Sequence, residues 1–467
     1  MKILVAIANY GTKNAEYAKQ LIKEYRAMPF DVDIVVLCEV SKGFGSDVTE
    51  IVGLPTKDPW SLPFGHRKLF VDHAKDYDLF IYTEDDILIR EDNILAFLRA
   101  SECLPENLLP GFLLYELYPD GAKSYPQMHA HYHWVPSSIK RIGVYVCADL
   151  SNEHSACYML NRQQLERAIR SGGFSLSPHR GRYDLPCTAS TDPYTQCNFS
   201  RVICLSHLPD FELHHLPNVY LNRMSLDEES KRLQVEALFD VLNQKSSGYE
   251  LFVTKKPIAI DCWDKDYYEP CRADLLELVP ESAYRILSVG CGSGETEAYL
   301  VGKGKDVTAI PLDSVIGRLA ERRGVRILPP DFANGFEALG DERFDAILLP
   351  GVLQHLRDPV DVLGRLGGYL NPEGLLVGSV PNLGLIRRLL GHLIERNNKF
   401  SILRDTFDDI GLHCTSAPML RGWLNASKLD TLDISFDKHT TISRFNDLSR
   451  DLPRAIVASN LLFVAGH

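Results

Sequence analysis

Three consecutive carboxylates, Glu84-Asp85-Asp86, close the run Asp78-Leu79-Phe80-Ile81-Tyr82-Thr83 and are followed at once by Ile87-Leu88-Ile89. On a strand alternate residues share a face, so Glu84 and Asp86 are expected to point together and Asp85 away from them. Hard oxygen ligands at that spacing suit Mn2+ or Mg2+, with the phosphate oxygens of a nucleotide diphosphate completing the shell. The same acids also read as a solvated turn after a strand. A second stretch is Val289-Gly290-Cys291-Gly292-Ser293-Gly294. It is a glycine turn leaving a buried strand, where a cofactor can lie against the backbone at a helix N-terminus. A third is His129-Ala130-His131-Tyr132-His133-Trp134, whose alternation puts three imidazoles on one side of an extended segment. That segment offers a transition-metal site, an aromatic wall for a sugar acceptor, or a half-buried edge strand.

The chain has 467 residues, 45% hydrophobic and 24% charged, enough for roughly two to three domains with cores of their own. Its net charge of −12, with no basic cluster, argues against nucleic acid as a partner. Eleven scattered cysteines show no Cys-x-x-Cys pair and no zinc spacing, which fits a reduced, cytoplasmic chain. No apolar run reaches the ~18 residues of a spanning helix. Asn9 and Gly11 cut the first apolar run short of a signal-peptide core.

The elements that must position the acids open the chain. Residues 2–8 read as a buried strand, 14–28 as a helix with apolar residues at 18, 21, 22 and 25, and 33–39 as a second strand. Strand, helix, strand predicts a parallel sheet that binds ligand at the carboxyl ends of its strands. Asn9 and Glu39 stand at such ends, each a candidate contact to a nucleotide base or ribose, or a loop cap. The helix starting at Gly65 carries Arg67 and Lys68, which face either a diphosphate or solvent.

This frame resembles the N-terminal half of glycosyltransferases of the GT-A fold, in which a nucleotide-binding strand-helix-strand precedes an acidic-x-acidic strand end. Three later features follow in the matching order. They are residues 152–160 leading into a helix over 162–170; Ser190-Thr191-Asp192-Pro193, with Asp192 at an N-cap and Pro193 at the first helical position; and Phe211-Glu212-Leu213-His214-His215. The resemblance implies that Glu84, Asp86 and His215 hold Mn2+ or Mg2+, with His214 competing for the place of His215. It also implies that Asp85 lies near the ribose, and that Asp192 is the base for the acceptor hydroxyl rather than a plain cap. The cluster begins with Glu instead of Asp, a departure from that pattern.

Residues 225–243 read as a charged helix ending near Ser246-Ser247-Gly248. The expected organisation is a glycosyltransferase-like domain over 1–223, a helical connector over 224–258 and a second domain over 259–467. In that second domain, a strand over 284–289 enters the glycine turn. Strands over 306–310 and 325–328 follow, the latter with Asp331 after it, and then a strand over 344–349 and Gly351-Val352-Leu353-Gln354-His355. The series resembles the class I S-adenosylmethionine-dependent methyltransferases from about residue 261 to 465. This implies a Rossmann-like domain holding S-adenosylmethionine at Gly290, Gly292 and Gly294, with Asp313 and Asp331 as further cofactor contacts. His355 is a candidate base near the substrate, or a buried structural histidine. Ser288 and Pro311 depart from the family, which carries acids at both positions, the second binding the cofactor ribose; Asp313 is the candidate substitute.

The expectation is an α/β protein of two domains. A metal-dependent glycosyltransferase moves a sugar from a nucleotide-sugar donor to a glycan or small-molecule acceptor, and a methyltransferase domain is fused to it. The alternatives are a glycosyltransferase with a degenerate methyltransferase-like scaffold, and a methyltransferase alone with a glycan-binding first half.

Overall fold

The computed structural model describes residues 1–128, 130–180, 183–252, 265–382, 407–436 and 460–467. The chain divides into two compact units, Met1–Val235 and Glu236–His467. Strands and helices are numbered in chain order.

In the first unit β1 (Lys2–Ala8), α1 (Ala15–Ala27), β2 (Asp31–Cys38), β3 (Thr49–Val52), α2 (Gly65–Asp72), β4 (Leu79–Glu84), β5 (Ile87–Leu88) and α3 (Glu91–Cys103) form the opening half. Then come β6 (Leu108–Pro110), β7 (Leu113–Leu117), β8 (Lys123–Pro126), β9 (Lys140–Ile142), β10 (Tyr145–Ala148), β11 (Cys157–Asn161), α4 (Arg162–Arg170), α5 (Leu185–Thr195), β12 (Ser200–Cys204), β13 (Glu212–His215) and β14 (Ser225–Asp227). The main sheet has the order β11-β4-β1-β2-β3. β1 runs parallel to β2 and β4, while β11 is antiparallel to β4. Ile3, Val5 and Ile7 pack on one side with Leu21, Ile22 and Tyr25 of α1. Leu4, Ala6, Phe80 and Tyr82 pack on the other with Phe70 of α2. Burial on both faces is why β1 and β4 read as unbroken apolar runs. Two smaller sheets, β6-β12-β10-β9 and β14-β8-β7-β13-β5, complete the unit.

Helix α6 (Glu228–Leu242) is followed in the second unit by α7 (Ala273–Leu276), β15 (Arg285–Cys291), α8 (Glu295–Gly302), β16 (Asp306–Pro311), α9 (Gly317–Arg322), β17 (Arg326–Ile327), α10 (Phe332–Leu339), β18 (Phe344–Pro350), α11 (Pro359–Gly367), β19 (Leu370–Pro381), β20 (Asp430–Phe436) and β21 (Asn460–Gly466). The sheet order is β17-β16-β15-β18-β19-β21-β20. β17 to β19 are mutually parallel, and β21 is antiparallel to both neighbours. The chain steps outward from β15 to β17 and then returns to β18 on the other side of β15. The carboxyl end of β15 is therefore a topological switch point, where an open α/β sheet leaves a crevice for ligand. No helix among the described residues is long and apolar enough to cross a membrane.

Candidate functional site

Strand β4 stops at Glu84, and Asp85 and Asp86 form the turn into β5. The period-two alternation expected to carry Glu84 and Asp86 to one side therefore ends before Asp85. Instead Asn14 Nδ2 donates to Asp85 Oδ1 at 2.8 Å and to Asp86 Oδ2 at 3.0 Å, so the two aspartates face together. Asn9, at the carboxyl end of β1, also donates to Asp85, at 2.6 Å. Burial, with the charge of Asp86 next, pushes the Asp85 carboxyl up to about 7. Glu84 keeps one carboxylate oxygen enclosed without a hydrogen bond. Burial, then Asp86, Asp85 and Asp184, raise its carboxyl well above the usual range.

His215 completes this corner. Its Nε2 lies 3.7 Å from Asp86 Oδ2 and its Nδ1 lies 2.8 Å from Glu116 Oε1, while the ring stacks on Tyr220. Burial alone would lower the imidazole, but Asp86 and Glu116 hold it above its ordinary value. His214 turns the other way and stacks on Tyr115 at 5.2 Å. Asp86 and His215 thus meet, but among the described residues no three His, Cys, Asp or Glu side chains form a group that could hold a metal. Glu84 does not join the other two as a third ligand.

Glu39 caps a loop: Gly11 N donates to it at 3.0 Å and Lys42 Nζ lies 3.1 Å away. Burial would raise the carboxyl, but bonds from its own amide, Lys42 and Gly11 bring it below the usual range. Lys42 also donates to the Asn9 side chain at 2.7 Å, tying the loop after β1 to the loop after β2.

Asp192 is not an N-cap. Helix α5 begins eight residues earlier, where Asp184 accepts from Cys187 N and Pro186 occupies the first turn; Asp192 and Pro193 lie inside the helix. The Asp192 carboxylate is buried against Arg67 at 2.5 Å. It also meets His179 Nε2 at 3.0 Å and Thr195 Oγ1 at 3.1 Å. Arg67, His179 and Thr195 thus all contact this carboxylate. Arg67 is accordingly buried on this pair, with Phe64 beneath the guanidinium, whereas Lys68 is exposed and pairs with Asp72. Of the histidine run, His131 packs on Tyr132 and His133 Nδ1 meets Trp134 O at 2.6 Å; His129 lies outside the described residues.

In the second unit the glycine turn sits at the switch point. Gly290 and Gly294 adopt φ of 86° and 87°, which only glycine takes without strain. A Cβ on Gly290 would strike the Val352 side chain, and one on Gly292 the Tyr267 carbonyl. Ser293 N donates to that carbonyl at 2.9 Å, so the segment around Tyr267 lies directly on the loop. Ser288, which lacks the expected acid, is bonded at 2.5 Å to the buried carboxylate of Glu297 on α8. Burial raises the Glu297 carboxyl, opposed by the Ser288 bond.

Asp313, the candidate substitute for the acid missing at Pro311, is buried in the turn after β16. It accepts from Val315 N at 2.8 Å and Ile316 N at 2.7 Å, turning the chain into α9, and burial pushes it up to about 7. Glu250 bridges to Asp313 in antiparallel fashion and is pushed up to about 8, by burial and then by Asp313. Asp331 caps α10, accepting from Asn334 N at 2.9 Å. His355 is buried in a short turn after β18, its ring stacked on Phe252 at 4.6 Å.

Two further features lie beside this turn. Lys265, Glu269, Arg272 and Asp274 form a linked set of ion pairs, with Lys265 Nζ donating to Pro350 O at 2.5 Å. Their close spacing, alternating in charge two to four residues apart just ahead of the glycine strand, is the signal in the sequence. Gln354 donates to Gly351 O at 2.8 Å while its own carbonyl oxygen is buried without a hydrogen bond.

The sheet order and the glycine turn define the second unit as Rossmann-like. Residues 263–430 match the family described as "Methyltransferase domain", so the C-terminal region carries a methyltransferase domain of the S-adenosylmethionine-dependent kind. Among curated proteins, the chain is 32% identical over 128 residues to trans-aconitate 2-methyltransferase of Deinococcus radiodurans, covering 26% of this chain and 49% of the relative. It is 34% identical over 116 residues to a ubiquinone biosynthesis O-methyltransferase of Azorhizobium caulinodans, covering 23% of this chain and 45% of the relative. It is also 34% identical over 120 residues to an uncharacterized methyltransferase of Mycobacterium tuberculosis, covering 25% and 60%. The chain spans about half the length of the curated relatives it matches. A solved methyltransferase of Archaeoglobus fulgidus aligns at 15% identity and a TM-score of 0.31, over 42% of this chain and 92% of that one. The family match lies wholly in the second unit.

Proposed function

We propose that this protein is a methyltransferase whose second unit uses S-adenosylmethionine to methylate a small-molecule acceptor. The observation that carries the reading is the glycine loop at the switch point of the sheet, inside the matched segment. The residues present fit the cofactor at two of its ends. Gly290 and Gly292 let Val352 and the Tyr267 carbonyl pack directly on the turn, and the turn delivers the N-terminus of α8, whose backbone N–H groups offer a ligand site. Lys265, Glu269 and Arg272 offer both signs of charge, as a zwitterionic amino-acid group requires. Pro311 offers the ribose no carboxylate, and Asp313 is committed to its own turn.

The cofactor when bound supplies an activated methyl group on a sulfonium, and transfer asks the protein chiefly for alignment and exclusion of water. Val352 and Tyr267, both buried, close the loop against solvent. His355 is the group on this chain best placed to take a proton from an acceptor, after β18 and beside Phe252. The names of the Azorhizobium relative and its like favour an oxygen acceptor. For this reading we take 259–467 as the catalytic domain, 224–258 as a connector and 1–223 as the acceptor-binding or partner domain.

Thermal or urea unfolding with S-adenosylhomocysteine tests the proposal. A ligand at one hundred times its Kd stabilises the native state by about 2.7 kcal/mol, so the second unit's transition should move up. No movement at millimolar ligand would remove the methyltransferase reading.

A second reading concerns the first unit. The meeting of Asn9, Asn14, Asp85, Asp86 and His215 at the carboxyl ends of β1 and β4 favours a nucleotide-sugar site there, with Mn2+ or Mg2+ recruited by Asp86 and His215. The same unfolding assay with uridine and guanosine diphosphate, with and without Mn2+, checks it. A stabilisation that needs the metal and disappears in Asp86→Ala is the expected result.

A further inference from the structure

We propose that Cys147 and Cys204 are an oxidation site, a buried dithiol that closes to a disulfide across β10 and β12 on exposure to a low-molecular-weight disulfide. The two residues are direct partners in the antiparallel register, and their sulfurs lie 3.7 Å apart. Residues opposed on antiparallel strands have Cα separations of roughly 4.5 or 5.5 Å, and both values fall within the ~4.4–6.8 Å that a disulfide spans. Bringing the sulfurs to the bonded distance of ~2.05 Å is then a matter of side-chain rotation and not of backbone rearrangement. Neither residue takes part in the sites described above.

The chemistry balances without any group from the protein beyond the two thiols. The Cys147 thiolate attacks one sulfur of the reagent, whose S–S bond breaks and releases one thiol after protonation. The Cys204 thiolate then attacks the Cys147 sulfur of the mixed disulfide, and the second thiol leaves. Two protons and two electrons pass from the cysteines to the reagent, which ends as two thiols. Cys147 is suited to the first step because the Cys204 S–H holds its thiol below the ordinary value, against the opposing effect of burial. Both side chains are fully enclosed, so the reagent enters by local opening of the short β9–β10 edge of this sheet, Lys140–Ile142 against Tyr145–Ala148. The bond would close a loop containing α4 and α5, and with them the buried Arg67–Asp192 pair at one end.

The test treats the full chain with 2-hydroxyethyl disulfide, blocks remaining thiols after denaturation and maps the peptides. The expected product links the Cys147 and Cys204 peptides and lacks two hydrogens, while exposed Cys103 and Cys271 carry reagent. The oxidised chain should unfold at a midpoint roughly 5–10 °C higher than the reduced one, a shift reversed by dithiothreitol and absent in Cys204→Ala. If Cys147 and Cys204 remain thiols when Cys103 and Cys271 are fully modified, even in urea just below the unfolding transition, the proposal fails. It also fails if either cysteine pairs elsewhere. The mapping uses the natural chain, so it decides the matter even if the alanine variant does not fold.

Discussion

Gly294→Ala should damage the second unit through a contact as well as through backbone strain, and the structure separates the two. Gly294 has φ of 87°, and a Cβ there would stand 2.6 Å from Ala320 Cβ and 2.8 Å from Ala320 Cα on α9. Gly304, at the other end of α8, has φ of 77° but open space where its Cβ would lie. An alanine in the left-handed region costs about 1–2 kcal/mol. Forcing an extra methyl into a packed contact costs about 1–3 kcal/mol more. Gly304→Ala should therefore lose about 1–2 kcal/mol and Gly294→Ala about 2–5 kcal/mol, both gaining equally from a stiffer unfolded chain. Urea unfolding followed by the signal of the second unit gives both numbers. Binding of S-adenosylhomocysteine to the folded variants adds a functional reading, which Gly294→Ala should weaken and Gly304→Ala should leave alone. Equal destabilisation by the two changes would refute the claim that α8 and α9 are packed through this glycine.

Three further outcomes follow from buried charge. Arg67→Met strands the Asp192 carboxylate and should cost about 3–5 kcal/mol in urea unfolding of the first unit; Asp192→Asn, which keeps one acceptor oxygen and leaves no buried carboxylate, should cost less. In the second unit burial raises the folded-state carboxyls of Glu250 and Asp313 to about 8 and about 7. Between the unfolded carboxyl range near ~4 and those values the folded state binds more protons, so stability falls as pH rises from about 4 to about 8. Glu250→Gln should flatten that slope, and an unchanged profile would show that the Glu250 carboxyl is not raised in the folded state. Glu297→Gln should keep its bond to Ser288 and cost little, whereas Glu297→Ala should cost about 1–3 kcal/mol by leaving the Ser288 hydroxyl buried without an acceptor.

Strand and helix alternation in both halves was legible because each inner strand is buried on two sides and therefore written in apolar residues, as in Ile3–Ile7 and Ile286–Val289. The glycine turn was legible because its backbone angles admit nothing else. What could not be read was which of two grammatical N-caps is used: Asp184 with Pro186 and Asp192 with Pro193 carry the same local signal, and only the burial of Arg67, 125 residues away, turns the second into an ion pair. The facing of Asp85 with Asp86 was misread because alternation holds only while the strand lasts. The carboxylate beside Ser288 was hidden for another reason, since it comes from the following helix and not from the strand. His215 and His214 differ only in which strand neighbour they meet, which is a property of pairing with β5 and not of composition.

The turn at Asp85-Asp86 has a consequence for how this chain can vary. On one side Glu84 is fixed in register with Ala8 of the main sheet; on the other Ile87 is fixed in register with His215 of a different sheet. Two residues are all the slack between those registrations. An insertion there must be taken up by a longer turn or a bulge, and a deletion must slide one ladder by a step and exchange its buried and exposed sides. The spacing of these acids is thus enforced by the architecture itself, independently of any ligand.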